Sequence, residues 1–330
     1  PEYDHPSVTY VCASTRLDNI CTKKRELNRT QHNFIVVAIT VEQIQKRNGS
    51  SITTLPRSIK GPKLKVFEGN IESIEFIKVL YSGDDESTSG DGKPLFDFDE
   101  PVSGPIPHSK VFMVSIEGKI YALKVFNFFS INEIRPYLFG KYHLVNDKII
   151  RGQLDPFYAE CRAFGMLVEK KKDDDLAVRC HGYVFLPDAA EREIETQFGI
   201  RGWNRKAEDE GSPLRAIVKD YIRWKSLRHR RTFELMRKKL EALNKLGIYN
   251  MDIREANYLG GRLFDFSIAI TFPHISLWPR LCSMEMIMED MEHDLGCFDS
   301  MVREEREKEE EQRNLRTTRS QKQRALLQLE

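Results

Sequence analysis

Apolar and polar positions recur with two periods along this chain, and the switches between them mark out its elements. Ile74, Phe76, Ile77, Val79 and Leu80 predict a strand ending at Tyr81, Ser82 and Gly83. Residues 111–116 and 119–126 are two β-rich runs split by Glu117 and Gly118, the pattern of a tight hairpin. Over residues 155–170 the spacing turns helical, with Phe157, Cys161, Phe164, Leu167 and Val168 on one stripe. Residues 177–186 read as a strand broken at His181 and Gly182, 187–213 as a loop with a short helix, and 214–222 as another strand. Residues 232–246 predict an amphipathic helix, with Phe233, Met236, Leu240 and Leu243 on one face and Gly247 as its stop. Tyr258 and Leu259, the pair Gly260–Gly261, then Arg262 and Leu263 read as a two-residue hairpin.

The ends are less patterned. Residues 1–60 hold one apolar run (34–39) and a stretch of helical spacing (41–47), and read as a loosely attached segment of unassigned role. Residues 84–91 are acidic and rich in Ser and Gly, which suits an insertion near 84–102. Residues 283–330 are predicted helical. Their run 303–313 is almost wholly charged and lacks apolar a and d positions, so 301–330 reads as a solvated helix or tail.

Composition narrows the classes. Lys plus Arg is 51 against 50 for Asp plus Glu, so no global field recruits nucleic acid or a membrane surface. The run 34–39 is far too short to span a bilayer. Cys12, Cys21, Cys161, Cys180, Cys282 and Cys297 are scattered without a CxxC, which favours a reduced, intracellular setting, cytoplasmic or nuclear. The spacing of His274, Cys282, His293 and Cys297 is irregular for a metal site. Residues 223–239 are strongly basic and offer a surface for an acidic protein partner. Nucleic acid is disfavoured because aromatics beyond Trp224 and Phe233 are missing there.

One residue stands against its pattern. Ile120, Ala122, Lys124 and Phe126 share a strand face, and a lysine among apolar neighbours either snorkels at an edge or points at an anion. Phosphoryl transfer needs a cation on the phosphates, a group to fix that cation, hard oxygen ligands for magnesium, and a carboxylate beside the attacking hydroxyl. Lys124 on a strand, Glu160 on the next helix, Asp252 and Asn257 five apart, and Asp265 after a hairpin supply those parts in order.

The motifs carrying these residues resemble those of protein kinases over about residues 67–275. YALK at Lys124 is similar to the VAIK strand, LGIYNMDIREAN to the catalytic loop, and LFDFS to the strand entering D-F-G. The resemblance implies an α+β, two-lobed protein-kinase-like fold, with a β-rich N-lobe over 61–222 and a compact, atypical helical C-lobe over 223–300. It further implies that Lys124 pairs with Glu160 and the α- and β-phosphates of ATP, with Asp252 as base and Arg254 at a phosphate. Asn257 and Asp265 would hold magnesium. Gly104, Ser109, Val111 and Ala122, with the hinge Asp220, Tyr221 and Ile222, would contact the nucleotide.

GPKLKVF, DPFYAECRAFG, AIVKDYI and DIREANYLGGRLFDFS together resemble, more closely, a fungal kinase-like family labelled as a Sim4-complex kinetochore subunit. Departures from the kinase pattern are a Gly-rich loop reduced to Gly104 before Pro105 and Pro107, Asn250 and Met251 in place of His and Arg, and Ser267 in place of glycine. Two expectations follow. One is an ATP- and magnesium-dependent phosphotransferase acting on a protein hydroxyl or a small molecule. The other is a pseudokinase interaction module, a kinetochore or chromatin-associated scaffold.

Overall fold

The computed structural model describes residues 63–81, 108–138, 140–223 and 230–327. Residues 1–62, the insertion near 84–102, Gly104 and the basic stretch 224–229 lie outside the described residues.

The strands are β1 (Glu75–Tyr81), β2 (Ser109–Ile116), β3 (Lys119–Phe126), β4 (Cys180–Leu186) and β5 (Leu214–Asp220), in the sheet order β1-β2-β3-β5-β4 with every neighbour antiparallel. Glu117 and Gly118 close the β2–β3 hairpin in left-handed conformations (φ 52° and 76°), matching the expected tight turn. Between β3 and β4 the chain leaves the sheet through α1 (Ile131–Ile134), α2 (Asp147–Leu154) and α3 (Pro156–Glu169). It continues through α4 (Asp188–Phe198) before β5 inserts between β3 and β4.

Period two sorts the sheet into two faces. Phe112, Val114, Ile116, Leu123, Val125, Ala216 and Val218 pack with Ile194 of α4 and Trp203 in one core. The opposite face carries Lys124 and Phe126 of β3 and, in register, Ile217 and Arg215 of β5. Phe126 and Ile217 join Phe157 and Phe164 of α3 in a second core. That core continues into α5 (Arg230–Lys245) and α6 (Met284–Leu327) through Met236, Leu240, Leu243, Phe298 and Met301. The fold is therefore α+β, a five-stranded antiparallel sheet with helices packed against both faces.

The break expected in β4 is real and has a steric cause. Gly182 sits at φ 136°, where a Cβ would lie 2.6 Å from the Phe67 nitrogen. Segment 65–67 runs against β4 there, exchanging bonds between Phe67 N and Tyr183 O (2.9 Å) and between Tyr183 N and Lys65 O (3.0 Å). Only glycine leaves room for that approach.

Short strands follow α5: β6 (Ile248–Tyr249), β7 (Tyr258–Leu259), β8 (Arg262–Leu263) and β9 (Ile270–Thr271), with β7–β8 forming the Gly260–Gly261 hairpin and β6 pairing β9. Helix α6 has 44 residues and so extends about 66 Å at 1.5 Å per residue. It runs without a break through the boundary expected at 300, and past Val302 its described side chains leave the core. Among the described residues no helix is long and apolar enough to cross a membrane.

His274, buried behind β9, uses both ring nitrogens, Nε2 on the Gln153 carbonyl (3.1 Å) and Nδ1 under the Ser276 amide (3.1 Å). Burial, and then the Arg162 guanidinium, push its pKa down to about 3. The unfolded chain takes up the proton near the ordinary histidine value of about 6.5, and the folded chain refuses it, so stability is lost as pH falls below that value. Between pH 7 and 5 this residue's share amounts to about 2 kcal/mol. Urea unfolding of His274→Gln at pH 7, 6 and 5 is expected to show a flatter decline than the unaltered chain; equal slopes would contradict this.

Candidate functional site

The site begins with an N-cap. Asp155 precedes Pro156 at the start of α3 and accepts the Phe157 amide at 3.0 Å, while its other oxygen takes Arg215 Nη1 of β5 at 2.6 Å. The cap of the helix is thereby tied to the sheet, and Glu160, one and a half turns on, is fixed against the face that carries Lys124.

Lys124 is 3% exposed, and its ammonium makes three hydrogen bonds: to Glu160 Oε2 (2.7 Å), Asp265 Oδ1 (2.7 Å) and Ser267 Oγ (2.5 Å). Of the two alternatives for that lysine, the anion is therefore the one realised. Glu160 is wholly buried, and its Oε1 is bonded by a second ammonium, that of Lys219, which also donates to the Phe264 carbonyl at 2.7 Å. Asp265 Oδ1 receives the Ser267 amide (2.9 Å) and hydroxyl (2.6 Å) in addition to Lys124. Desolvation pushes the Asp265 carboxyl upward, but the ammonium groups of Lys124 and then Lys219 outweigh it and hold it below the usual carboxylate range. Lys124 is correspondingly raised, because Asp265 and Glu160 overcome its own desolvation.

The second half of the site hangs from α6. The buried carboxylate of Asp294 accepts the backbone amides of Asn250 (2.7 Å) and Met251 (2.8 Å). Asn250 then bridges the halves, its Nδ2 donating to the Asp265 carbonyl (2.6 Å) and its Oδ1 accepting from the Asp252 amide (3.1 Å). Asp252 keeps a 36% exposed side chain whose Oδ2 receives Asn257 Nδ2 (2.8 Å) and Arg254 Nη2 (3.0 Å). Asn257 Nδ2 also donates to the Asp252 carbonyl at 2.8 Å. His108 senses both halves. Desolvation and then Lys124 hold its imidazole below the ordinary value against the opposing pull of Asp265 and Asp252.

The expected nucleotide contacts divide. Val111 and Ala122 are half-buried on the sheet face that carries Lys124, opposite Lys124 and Met113 respectively. Asp220 ends β5 and its Oδ1 accepts from His181 Nε2 at 2.7 Å, and Tyr221 and Ile222 follow, half-buried. Ser109 is buried as the first residue of β2, paired with Phe126 rather than placed in a loop, because the strand pairing reaches as far as that residue.

Magnesium favours near-octahedral oxygen coordination. Asp265 Oδ1 is already filled by three donors, Asn257 turns its amide nitrogen onto Asp252, and among the described residues no group of three or more His, Cys, Asp or Glu could hold a metal ion. Asp265 Oδ2 and Asn257 Oδ1 take part in none of these bonds and are the oxygens that would hold magnesium. Of His274, Cys282, His293 and Cys297, the pair His293–Cys297 is in contact, with Nε2 and Sγ 3.4 Å apart. In the basic segment, Arg237 is engaged by Glu241 and Asp299.

Lys219, Ser267, Asn250 and Asp294 were not singled out as site residues by sequence reasoning. Two of them left a signal: Arg215, Ile217 and Lys219 share a strand face, and Asp294 lies in the apolar stripe Ile287, Met291, Phe298 and Met301. In each case a charge breaks an apolar period, as Lys124 does.

Replacing Asp294 by Asn turns one acceptor into a donor facing a backbone N–H, which costs about 1–3 kcal/mol. Urea unfolding of Asp294→Asn is expected to show that loss, with faster amide exchange at Asn250 and Met251. Unchanged exchange there would remove Asp294 as the anchor of this loop.

A search of curated proteins finds no match. The family model described as kinetochore Sim4 complex subunit FTA2 matches residues 51–270, two thirds of the chain, spanning Lys124, Glu160, Lys219, Asp252, Asn257 and Asp265. This chain belongs to the kinetochore Sim4 complex subunit FTA2 family.

Proposed function

We propose that this chain is a kinetochore subunit that works by binding, built on a pseudokinase-type cleft that receives a nucleotide and transfers nothing. The observation that carries the reading is how Lys124 uses its protons. All three are bonded within the chain, to Glu160, Asp265 and Ser267. A phosphotransferase needs that ammonium on the transferring phosphates, whereas a binding module uses it to tie a sheet, a helix and a loop together. The family description supports the same direction, since it names a subunit of a protein complex. On this reading the partners are other proteins of that complex and the setting is nuclear. The half-open apolar positions Val111, Met113 and Ala122, with Asp220, Tyr221 and Ile222, would receive the base.

A second reading, an ATP-dependent phosphotransferase to a protein hydroxyl or small molecule, is favoured by Asp252. Its carboxylate stays accessible while Asn257 and Arg254 brace it, as a base beside a hydroxyl should be.

Two assays on the full chain separate them. With ATP about a hundredfold above its dissociation constant, the melting temperature is expected to rise by about 5 °C, and Asp265→Ala to abolish that rise. Transfer of the terminal phosphate of ATP is expected to stay at the level of Asp252→Asn; transfer lost on that substitution would establish the second reading instead. Affinity purification from dividing cells is expected to bring down kinetochore proteins. Elution with none of them would remove the first.

A further inference from the structure

Past Val302, helix α6 continues to Leu327, about 37 Å of further helix at 1.5 Å per residue. Its charges are sorted along that length. Residues 304–311 hold six glutamates against Arg306 and Lys308, a net −4. Residues 313–324 hold Arg313, Arg316, Arg319, Lys322 and Arg324 and no acid, a net +5. Lys308 is spent on Glu305 of its own helix at 2.7 Å, and among the described residues Glu307, Glu309, Glu310 and Glu311 form no ion pair.

An acidic block followed by a basic one is complementary to itself in one orientation. Two copies laid parallel and in register set like charges against like. Laid antiparallel, each acidic block runs along the basic block of the other, and a two-fold axis relates them. A helical stripe fits that axis. Glu304, Lys308, Glu311 and Leu315 follow one another at heptad spacing, and Thr318, Lys322 and Ala325 continue the series. Leu315, 62% exposed, is the one apolar residue between Val302 and Arg316. With the axis level with Arg313, Glu304 stands opposite Lys322 of the partner subunit, twice in the pair, and the two Leu315 positions flank the axis. Arg313 itself lies off the stripe, on the other side of the helix. We infer that this part of α6 is a self-association surface, on which a second copy of the chain pairs antiparallel. Charge rather than an apolar seam sets the register.

The test is sedimentation equilibrium of the full chain, alone and with the single reversals Glu304→Lys and Lys322→Glu. The unaltered chain is expected to form dimers with a dissociation constant on the order of 10 µM at about 0.1 M salt. At about 1 M salt it is expected to bind at least about tenfold more weakly, because the screening length falls from about 10 Å to about 3 Å. Each reversal alone is expected to weaken its own dimer at least about fivefold, since it sets two like-charged pairs across the axis. An equimolar mixture of the two variants is expected to recover the dimer, because each then meets the opposite charge at its altered position. A chain that stays monomeric to about 100 µM at the lower salt overturns the inference and leaves the charged stretch to a different protein or to solvent. A dimer indifferent to salt and to both reversals overturns it by placing the contact elsewhere. A mixture no tighter than the single variants removes the antiparallel register. The state of the unaltered chain at the lower salt decides self-association without reference to either variant.

Discussion

The buried contact between Lys124 and Glu160 is the constraint on which the rest of the molecule depends. Two unit charges about 4 Å apart attract by about 4 kcal/mol at an effective dielectric near 20. Removing each from water costs several kcal/mol, so a lone buried pair roughly breaks even. The chain meets this with a cluster in which Glu160 faces Lys124 and Lys219, while Lys124 faces Glu160 and Asp265. Each charge then has more than one opposite neighbour or a hydrogen-bonding group, and the balance turns favourable. Because the members come from β3, α3, β5 and the loop after β8, satisfying the charges also fixes how those elements meet.

Two helices set the geometry from opposite ends. Helix α3 is placed by its own cap, since Asp155 holds both the Phe157 amide and Arg215 of the sheet. Helix α6 places the loop of Asn250 and Met251 through Asp294, whose carboxyl is pushed up to about 6 by desolvation against those two amide bonds. The family match ends at residue 270, short of α6. The anchor of the Asp252 loop therefore lies outside the matched stretch, while the residues it positions lie inside it.

Much of the fold was legible because the patterns are local. The hairpins at Glu117–Gly118 and Gly260–Gly261, the stripe of α3 and the stop at Gly247 are each set by a few consecutive residues. The order of Lys124, Glu160, Asp252, Asn257 and Asp265 was legible as well, but not which bonds each one makes. Lys219 and Asp294 escaped because their partners lie 59 and about 44 positions away, and a charge in an apolar period names no partner.

The departures from the kinase pattern, which look like damage when read singly, act together in the structure. Ser267, standing where glycine is expected, gives Lys124 a third acceptor and Asp265 a second hydroxyl or ammonium donor, so it completes the lysine's coordination from inside the chain. Asn250, standing where histidine is expected, joins the Asp252 loop to Asp265 through one donor and one acceptor on a single neutral amide, with no charge to compensate. Both neutral side chains thus answer charged groups and backbone groups of the cluster from within the protein.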